Sequence, residues 1–298
     1  MPRVPAADEA TALTTRDLRE TGLTKRQIAE AVGRGDLIRL RLGRYAPAHT
    51  ADELVEAARW GGRLDCISLL AARGVFVHTR TGTHIQVDPH ATRLPPRPAS
   101  VRCHWRPTAV PPASLVVDVR EALAQAVICQ PPRHAIATID SAWHLGLVDR
   151  QDLDAIFARL PAAFAVLRDL SDPRSESGTE TLVRLLLRTL GHRPELQVRI
   201  DGVGRVDLLV DGWLIIECDS REFHAEWAAQ VRDRRRDAAA LARGYVTLRL
   251  VAADVLSRPD VVRAQLEQVL GHGPAVPRSG ASRLVRRDRS DSGSVLPG

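Results

Sequence analysis

Lysine is almost absent from this chain. Of 42 basic residues only Lys25 is not arginine, so no lysine lies C-terminal to that position. Arginine codons are GC-rich, and a GC-rich genome produces the same bias; on its own it does not report selection for phosphate binding. Cysteine is scarce as well. Cys66, Cys103, Cys129 and Cys218 lie far apart and none forms a Cys-x-x-Cys pair. That spacing predicts neither a zinc cluster nor a disulfide framework. No apolar run approaches the ~20 residues that a membrane helix needs. The first residues lack the basic-then-apolar pattern of a secretory signal. The expectation is a cytoplasmic protein with no membrane partner.

What is present fits an ordinary globular chain, 44% hydrophobic and 26% charged. A length of 298 residues is long for one core and suggests two or three modules. Of the net charge of +6, residues 12–48 carry +4 and the tail 273–298 carries +3, leaving the rest near −1. Positive charge gathered at two ends favours a polyanionic partner, nucleic acid being the commonest. The tail is rich in Ser, Gly, Pro and Arg without periodicity and reads as disordered.

Near the N-terminus, a short helix over Arg16–Glu20 is followed by a turn at Gly22. Thr24 with Gln27 three residues later forms a capping box for a second helix, whose Ile28, Ala29 and Val32 share one face. Gly33 and Gly35 stop it. In Asp36–Tyr45 the residues alternate, with Leu37, Arg39 and Arg41 on one side and Ile38, Leu40 and Leu42 on the other, as in a β-ribbon. Helix, turn, capped helix and arginine-rich ribbon follow the order of a winged helix-turn-helix, assigned to residues 12–50. The run Leu23–Ala46 resembles the N-terminal module of AbiEi-type antitoxins. That resemblance implies a recognition helix and a wing, with Lys25, Arg26, Arg39, Arg41 and Arg44 meeting nucleic acid.

Residues 51–168 read as a mixed helical and strand region. Helices are expected over 52–59, 66–72, 120–129, 135–145 and 151–159, and strands near 75–78 and 84–87. The prolines between Pro95 and Pro112 rule out a long helix there. No catalytic motif is visible in this stretch. His134, His144 and the Cys103-His104-Trp105 triplet read as isolated core or surface residues.

Residues 170–271 carry the chemistry. The pattern is helix (176–190), three strands (196–200, 205–210, 213–218), helix (227–243), strand (246–250) and helix (260–270), a mixed sheet flanked by helices. The link Asp211-Gly212 signals a hairpin. A two-residue link pairs residues whose numbers sum to about 423, setting Asp207 near Ile216 and Glu217 near Val206. Two carboxylates, each inside or ending an apolar strand, then lie side by side. They repel unless a cation sits between them, and Mg²⁺ or Mn²⁺ suits such oxygen ligands. Asp233 and Asp237 are expected to pair with arginines on their own helix.

This segment resembles very-short-patch-repair endonucleases of the PD-(D/E)XK superfamily. The resemblance rests on Asp207, on the run Glu217-Cys218-Asp219-Ser220-Arg221-Glu222-Phe223-His224, on Arg232-Asp233-Arg234-Arg235-Arg236-Asp237 before the last strand, and on Ser177-Gly178-Thr179-Glu180 heading the first helix. It implies catalytic roles for Glu180, Asp207, Glu217 and His224. It also implies metal ligation by Asp207 with Glu217 or the carbonyl of Cys218, and phosphate contacts by Arg232, Arg234, Arg235 and Arg236. The superfamily's lysine position holds Asp219 here. The implied function is a metal-dependent DNA endonuclease or nickase aimed at double-stranded DNA by the winged helix. The alternative is an antitoxin-like transcriptional regulator with a degenerate nuclease fold, partnered by a cognate toxin or by a second copy of itself.

Overall fold

The computed structural model describes residues 10–219 and 227–274. The chain divides into two compact units at Ser171/Asp172, close to the boundary expected near residue 170. The first two expected modules lie together within the first unit.

The first unit opens with β1 (Leu13–Thr14), α1 (Thr15–Glu20), α2 (Lys25–Arg34), β2 (Leu37–Arg41) and β3 (Arg44–Pro47). Thr14 and Thr24 each cap their helix in a reciprocal box, Thr24 Oγ1 accepting from the Gln27 amide while Gln27 Oε1 accepts from the Thr24 amide. The strands form a sheet of order β1-β3-β2. Leu18, Leu23, Ile28, Ala31 and Leu37 form the core beneath the two helices. The alternation expected in β2 holds only in part. The register shifts between Arg39 and Arg41, and Leu42 sits in the hairpin tip, 88% exposed. Leu40 is the extra residue at that shift, and it is buried in a core cluster with Ala46 and Val55.

The unit continues with α3 (Asp52–Arg59), β4 (Arg63–Leu64), α4 (Cys66–Ala72), β5 (Thr83–Val87) and β6 (Val101–Trp105). Helices α5 (Val119–Cys129), α6 (Pro132–His144), α7 (Arg150–Phe157) and α8 (Ala165–Leu170) complete it. The second sheet has order β4-β5-β6, with β5 and β6 parallel. Residues 75–78, expected as a strand, are irregular, and the short β4 takes the place beside β5 instead. The N-terminal segment is tied to this region by Ala12 N–H donating to the Ala113 carbonyl at 2.7 Å and Leu115 N–H to the Ala10 carbonyl at 2.8 Å. Contrary to the expectation from spacing, Cys66, His84, His104 and Cys129 converge here.

The second unit contains α9 (Gly178–Thr189), β7 (Glu195–Ile200), β8 (Gly204–Val210), β9 (Leu214–Asp219), α10 (Trp227–Leu241), β10 (Val246–Val251), α11 (Ala252–Ser257) and α12 (Pro259–His272). The order matches the expectation except that the short α11 precedes the last helix. The sheet runs β10-β9-β8-β7, antiparallel except for the parallel β9/β10 pair. Consecutive residues of a strand point to opposite faces. Leu208, Leu209 and Val210 and the facing Leu214, Ile215 and Ile216 are all at most 3% exposed, so both faces are covered. Ala240 of α10 joins Leu209 and Ile215 on one face, and α9 packs on β8.

At Gly82 the backbone has φ +70°, and an added Cβ would fall 1.8 Å from the Ser100 carbonyl oxygen, against the pairing that sets β5 beside β6. Gly74 has φ +79° with nothing within 4 Å of the same position. Gly74→Ala is expected to cost about 1–2 kcal/mol, the left-handed backbone penalty alone. Gly82→Ala is expected to cost clearly more by urea denaturation; equal losses would contradict the packing described.

Candidate active site

The β8/β9 hairpin turns through three residues rather than two. Asp211 and Gly212 have φ of +48° and +73°, and Trp213 N–H closes the turn on the Val210 carbonyl at 3.1 Å. The register is Val210↔Leu214, Leu209↔Ile215 and Leu208↔Ile216, one residue from the expected pairing. The difference matters, since a one-residue slip turns a strand's side chains to the other face. With Trp213 in the link, the next pair in sequence is Asp207 with Glu217.

At that pair the ladder stops. The Cys218 amide donates to Asp207 Oδ2 at 2.9 Å, so the carboxylate takes a hydrogen that a backbone carbonyl would receive in a regular sheet. The β7/β8 register likewise skips the place where Gln197 would face Asp207, and Gln197 has φ +51°. Val206 and Leu209, three residues apart, belong to the same core cluster, so alternation breaks between them. A non-glycine left-handed residue costs on the order of 1 kcal/mol or more and concentrates at functional sites. Glu180 joins the group from the first turn of α9. Its amide is capped by Ser177 Oγ at 3.2 Å, and its Oε2 accepts from the Glu176 amide at 2.9 Å and from Gln197 Nε2 at 3.0 Å. Gln197 Oε1 is buried with no hydrogen-bond partner among the described residues.

Burial, reinforced by the charge of Asp207, raises Glu217 to about 7. Burial raises Glu180 above the usual carboxylate range, Asp207 adding to it. Burial also raises Asp207, against the hydrogen bond from Cys218. The Cys218 thiol is pushed well up by burial and by the acids around it. The resemblance assigns any ligand role here to the Cys218 carbonyl rather than to its sulfur. Three carboxylates that each resist ionisation in one place suit a cation, and the donors are hard oxygens of the kind that Mg²⁺ and Mn²⁺ take.

Two arginines stand beside the acids. Arg236 of α10 turns inward. Its Nη2 donates to Glu217 Oε1 at 3.1 Å and to the Arg205 carbonyl at 2.6 Å, and its Nε donates to the Val203 carbonyl at 3.2 Å. It was expected on phosphate with its neighbours, but its Nε and Nη2 are engaged within the protein. Arg249, from the apolar β10, contacts Asp219 at 3.3 Å and Asp237 at 2.9 Å. Asp237 therefore pairs with β10 rather than with an arginine of its own helix, because α10 packs against β10. Arg232, Arg234 and Arg235 are exposed, and the Arg234 guanidinium lies over the Trp227 ring at 5.5 Å. His224 lies outside the described residues.

Sequence reading missed Gln197 and Arg249. Arg249 was discoverable in principle, since a charged residue inside Val246–Val251 is the same kind of anomaly as Asp207. In the first unit, Lys25, Arg26 and Arg39 are exposed and Arg41 is half-buried. Arg44 donates to the Pro112 carbonyl at 2.8 Å, which gives it a structural duty.

No family model matches the chain. Two uncharacterized proteins of Mycobacterium tuberculosis, one from strain CDC 1551 / Oshkosh and one from strain ATCC 25618 / H37Rv, are each 29% identical over 274 residues. The match covers 83% of this chain and 97% of each relative, a share too large for either compact unit alone.

Glu217 supplies a test of the electrostatics. Its folded pKa of about 7 lies above the ordinary 4.5. Between those values the folded chain holds the proton more tightly than the unfolded chain. Its contribution to folding is therefore greatest in acid and is lost as pH rises through about 7. In buffer without divalent cations, Glu217→Gln is expected to raise Tm at pH 8 and to change it little near pH 4.5. A lower Tm at pH 8 would mean that the ion pair with Arg236 outweighs the burial and repulsion.

Proposed function

We propose that residues 172–274 form a metal-dependent phosphodiesterase domain of the PD-(D/E)XK type that cuts or nicks double-stranded DNA, and that residues 10–50 form a winged helix that delivers it. The observation that carries this reading is the meeting of Asp207 and Glu217 where β8 and β9 part, with Glu180 held beside them through Gln197. Asp207 and Glu217, with the Cys218 carbonyl, would hold the ion. When bound, a Mg²⁺ or Mn²⁺ ion neutralises charge on the scissile phosphate and acidifies a water for attack. Glu180 and Gln197 would orient that water, with Gln197 Oε1, which has no partner among the described residues, as an acceptor. Arg236 keeps Glu217 in position, while the exposed Arg232, Arg234 and Arg235 would meet the phosphate backbone. His224 is assigned proton transfer by the resemblance alone. In the winged helix, Lys25 and Arg26 at the start of α2 and Arg39 on the ribbon present the cationic face.

A second reading is a DNA-binding regulator whose nuclease fold has lost its chemistry. It is favoured by Asp219 in the superfamily's lysine position and by the Arg236 clamp on Glu217. Plasmid nicking separates the two. With Mg²⁺ or Mn²⁺ the wild type is expected to convert supercoiled plasmid to the nicked form, and Asp207→Ala to slow it about 100-fold or more, the scale of several kcal/mol of metal-ion stabilisation. Absence of cutting by folded wild type on plasmid, mismatched duplex and RNA would favour the regulator. Under either reading, Lys25→Ala and Arg39→Ala are each expected to weaken duplex binding and lower the salt slope by about 1. An unchanged slope would remove those residues from the interface.

A further inference from the structure

Four elements of the first unit bring four metal-ligand side chains to one point. Cys66 begins α4, His84 lies on β5, His104 lies on β6 and Cys129 ends α5. Their ligand atoms all lie within 4.8 Å of one another. The parallel register pairs His84 with Arg102 and Gln86 with His104, so both histidines project from the same face of the strand pair. His84 Nδ1 is 3.1 Å from His104 Nε2, and Cys129 Sγ is 4.0 Å from the same His104 nitrogen. A tetrahedron with Zn–N of about 2.0 Å and Zn–S of about 2.3 Å has edges of about 3.3 Å between nitrogens and about 3.5 Å between nitrogen and sulfur. The nitrogen–nitrogen spacing lies close to its edge, and the sulfur–nitrogen spacing exceeds its edge by about 0.5 Å, so the ligands would draw in on an ion.

The surroundings suit an ion as well. Cys66 is fully buried, and His84 and His104 are at most 9% exposed. Two thiolates and two neutral imidazoles around a dication carry no net charge, so the complex avoids the cost of burying an unpaired ion. Gln125 Nε2 donates toward Cys129 Sγ at 3.4 Å, an outer contact of the kind that steadies a thiolate ligand. The fully buried Asp65 accepts from the Cys66 amide at 2.7 Å and holds Arg106 in a fork at 2.8 and 2.9 Å, and Arg106 also reaches Glu121 of α5. The same elements that supply ligands are thus braced a second time.

We infer that Cys66, His84, His104 and Cys129 form a structural zinc site that staples α4, β5, β6 and α5. The mixed sulfur and nitrogen donor set selects zinc over Mg²⁺ or Ca²⁺, and four protein ligands leave no open position for catalysis. The site is separate from the carboxylates of the second unit. The ligands are separated by 17, 19 and 24 intervening residues, so no familiar spacing announces them.

The test uses the full chain, purified without chelator from zinc-containing medium. Elemental analysis is expected to find one zinc per chain, and Co²⁺ exchanged for it to give the visible and charge-transfer bands of a tetrahedral thiolate site. Cys129→Ser is expected to lower zinc content about tenfold or more, while Cys103→Ser leaves it unchanged. Should Cys129→Ser not fold, the wild type decides: a chelator is expected to lower Tm, Zn²⁺ to restore it and Mg²⁺ to fail. Little or no zinc together with a blank Co²⁺ spectrum, iron in zinc's place, or an intact mass showing a Cys66–Cys129 disulfide would each overturn the assignment.

Discussion

Burial of three carboxylates at one place constrains the second unit. Asp207, Glu217 and Glu180 arrive from two strands and a helix terminus, and burial opposes the ionisation of each. A fold that only needed a stable sheet would place valine or isoleucine in those positions, at lower cost in free energy. The sheet instead deforms around them. The β8/β9 ladder ends at Leu208↔Ile216, the Cys218 amide turns to a side chain, and Gln197 takes a left-handed backbone. Arg236 and Arg249 relieve part of the repulsion at the outer acids. The remaining strain is what a bound cation would discharge, and it ties the metal proposal to the fold.

The first unit is organised differently. Its two N-terminal helices and ribbon rest on a small apolar core made by Leu18, Ile28 and Leu37. The region that follows depends on a polar centre. Asp65, Arg106 and Glu121 cross-link α4, the segment after β6 and α5, directly beside the cysteines and histidines. Arg106 serves both acids through Nη1 and Nη2 while its Nε is buried without a partner among the described residues, and a metal in the adjoining cluster would add no net charge there.

Local signals in the sequence were reliable where the physics is local. The Thr24–Gln27 capping box, the Asp211-Gly212 turn and the acids inside apolar strands all lie where expected. Non-local outcomes were not legible. Trp213, 6% exposed, lies in the link rather than in β9, and that one residue determines which pair stands opposite which. Asp237 found Arg249 rather than a helical neighbour because α10 lies on β10, a packing no spacing rule reports. The cysteines were set aside on their separation and His104 as an isolated residue, but separation says nothing of residues brought together by a parallel strand pair and two helix ends. His224 lies beyond what the structure describes, and its role still stands on the resemblance.

The most direct test of the account is the thermal stability of the second unit's site in the full chain at pH 8 as Mg²⁺ or Mn²⁺ is added. A ligand that binds only the folded state raises Tm with concentration. The account requires a saturable rise in the wild type that is lost in Asp207→Asn. A wild type indifferent to both cations, or a rise that survives in Asp207→Asn, would contradict the claim that these carboxylates form a cation site.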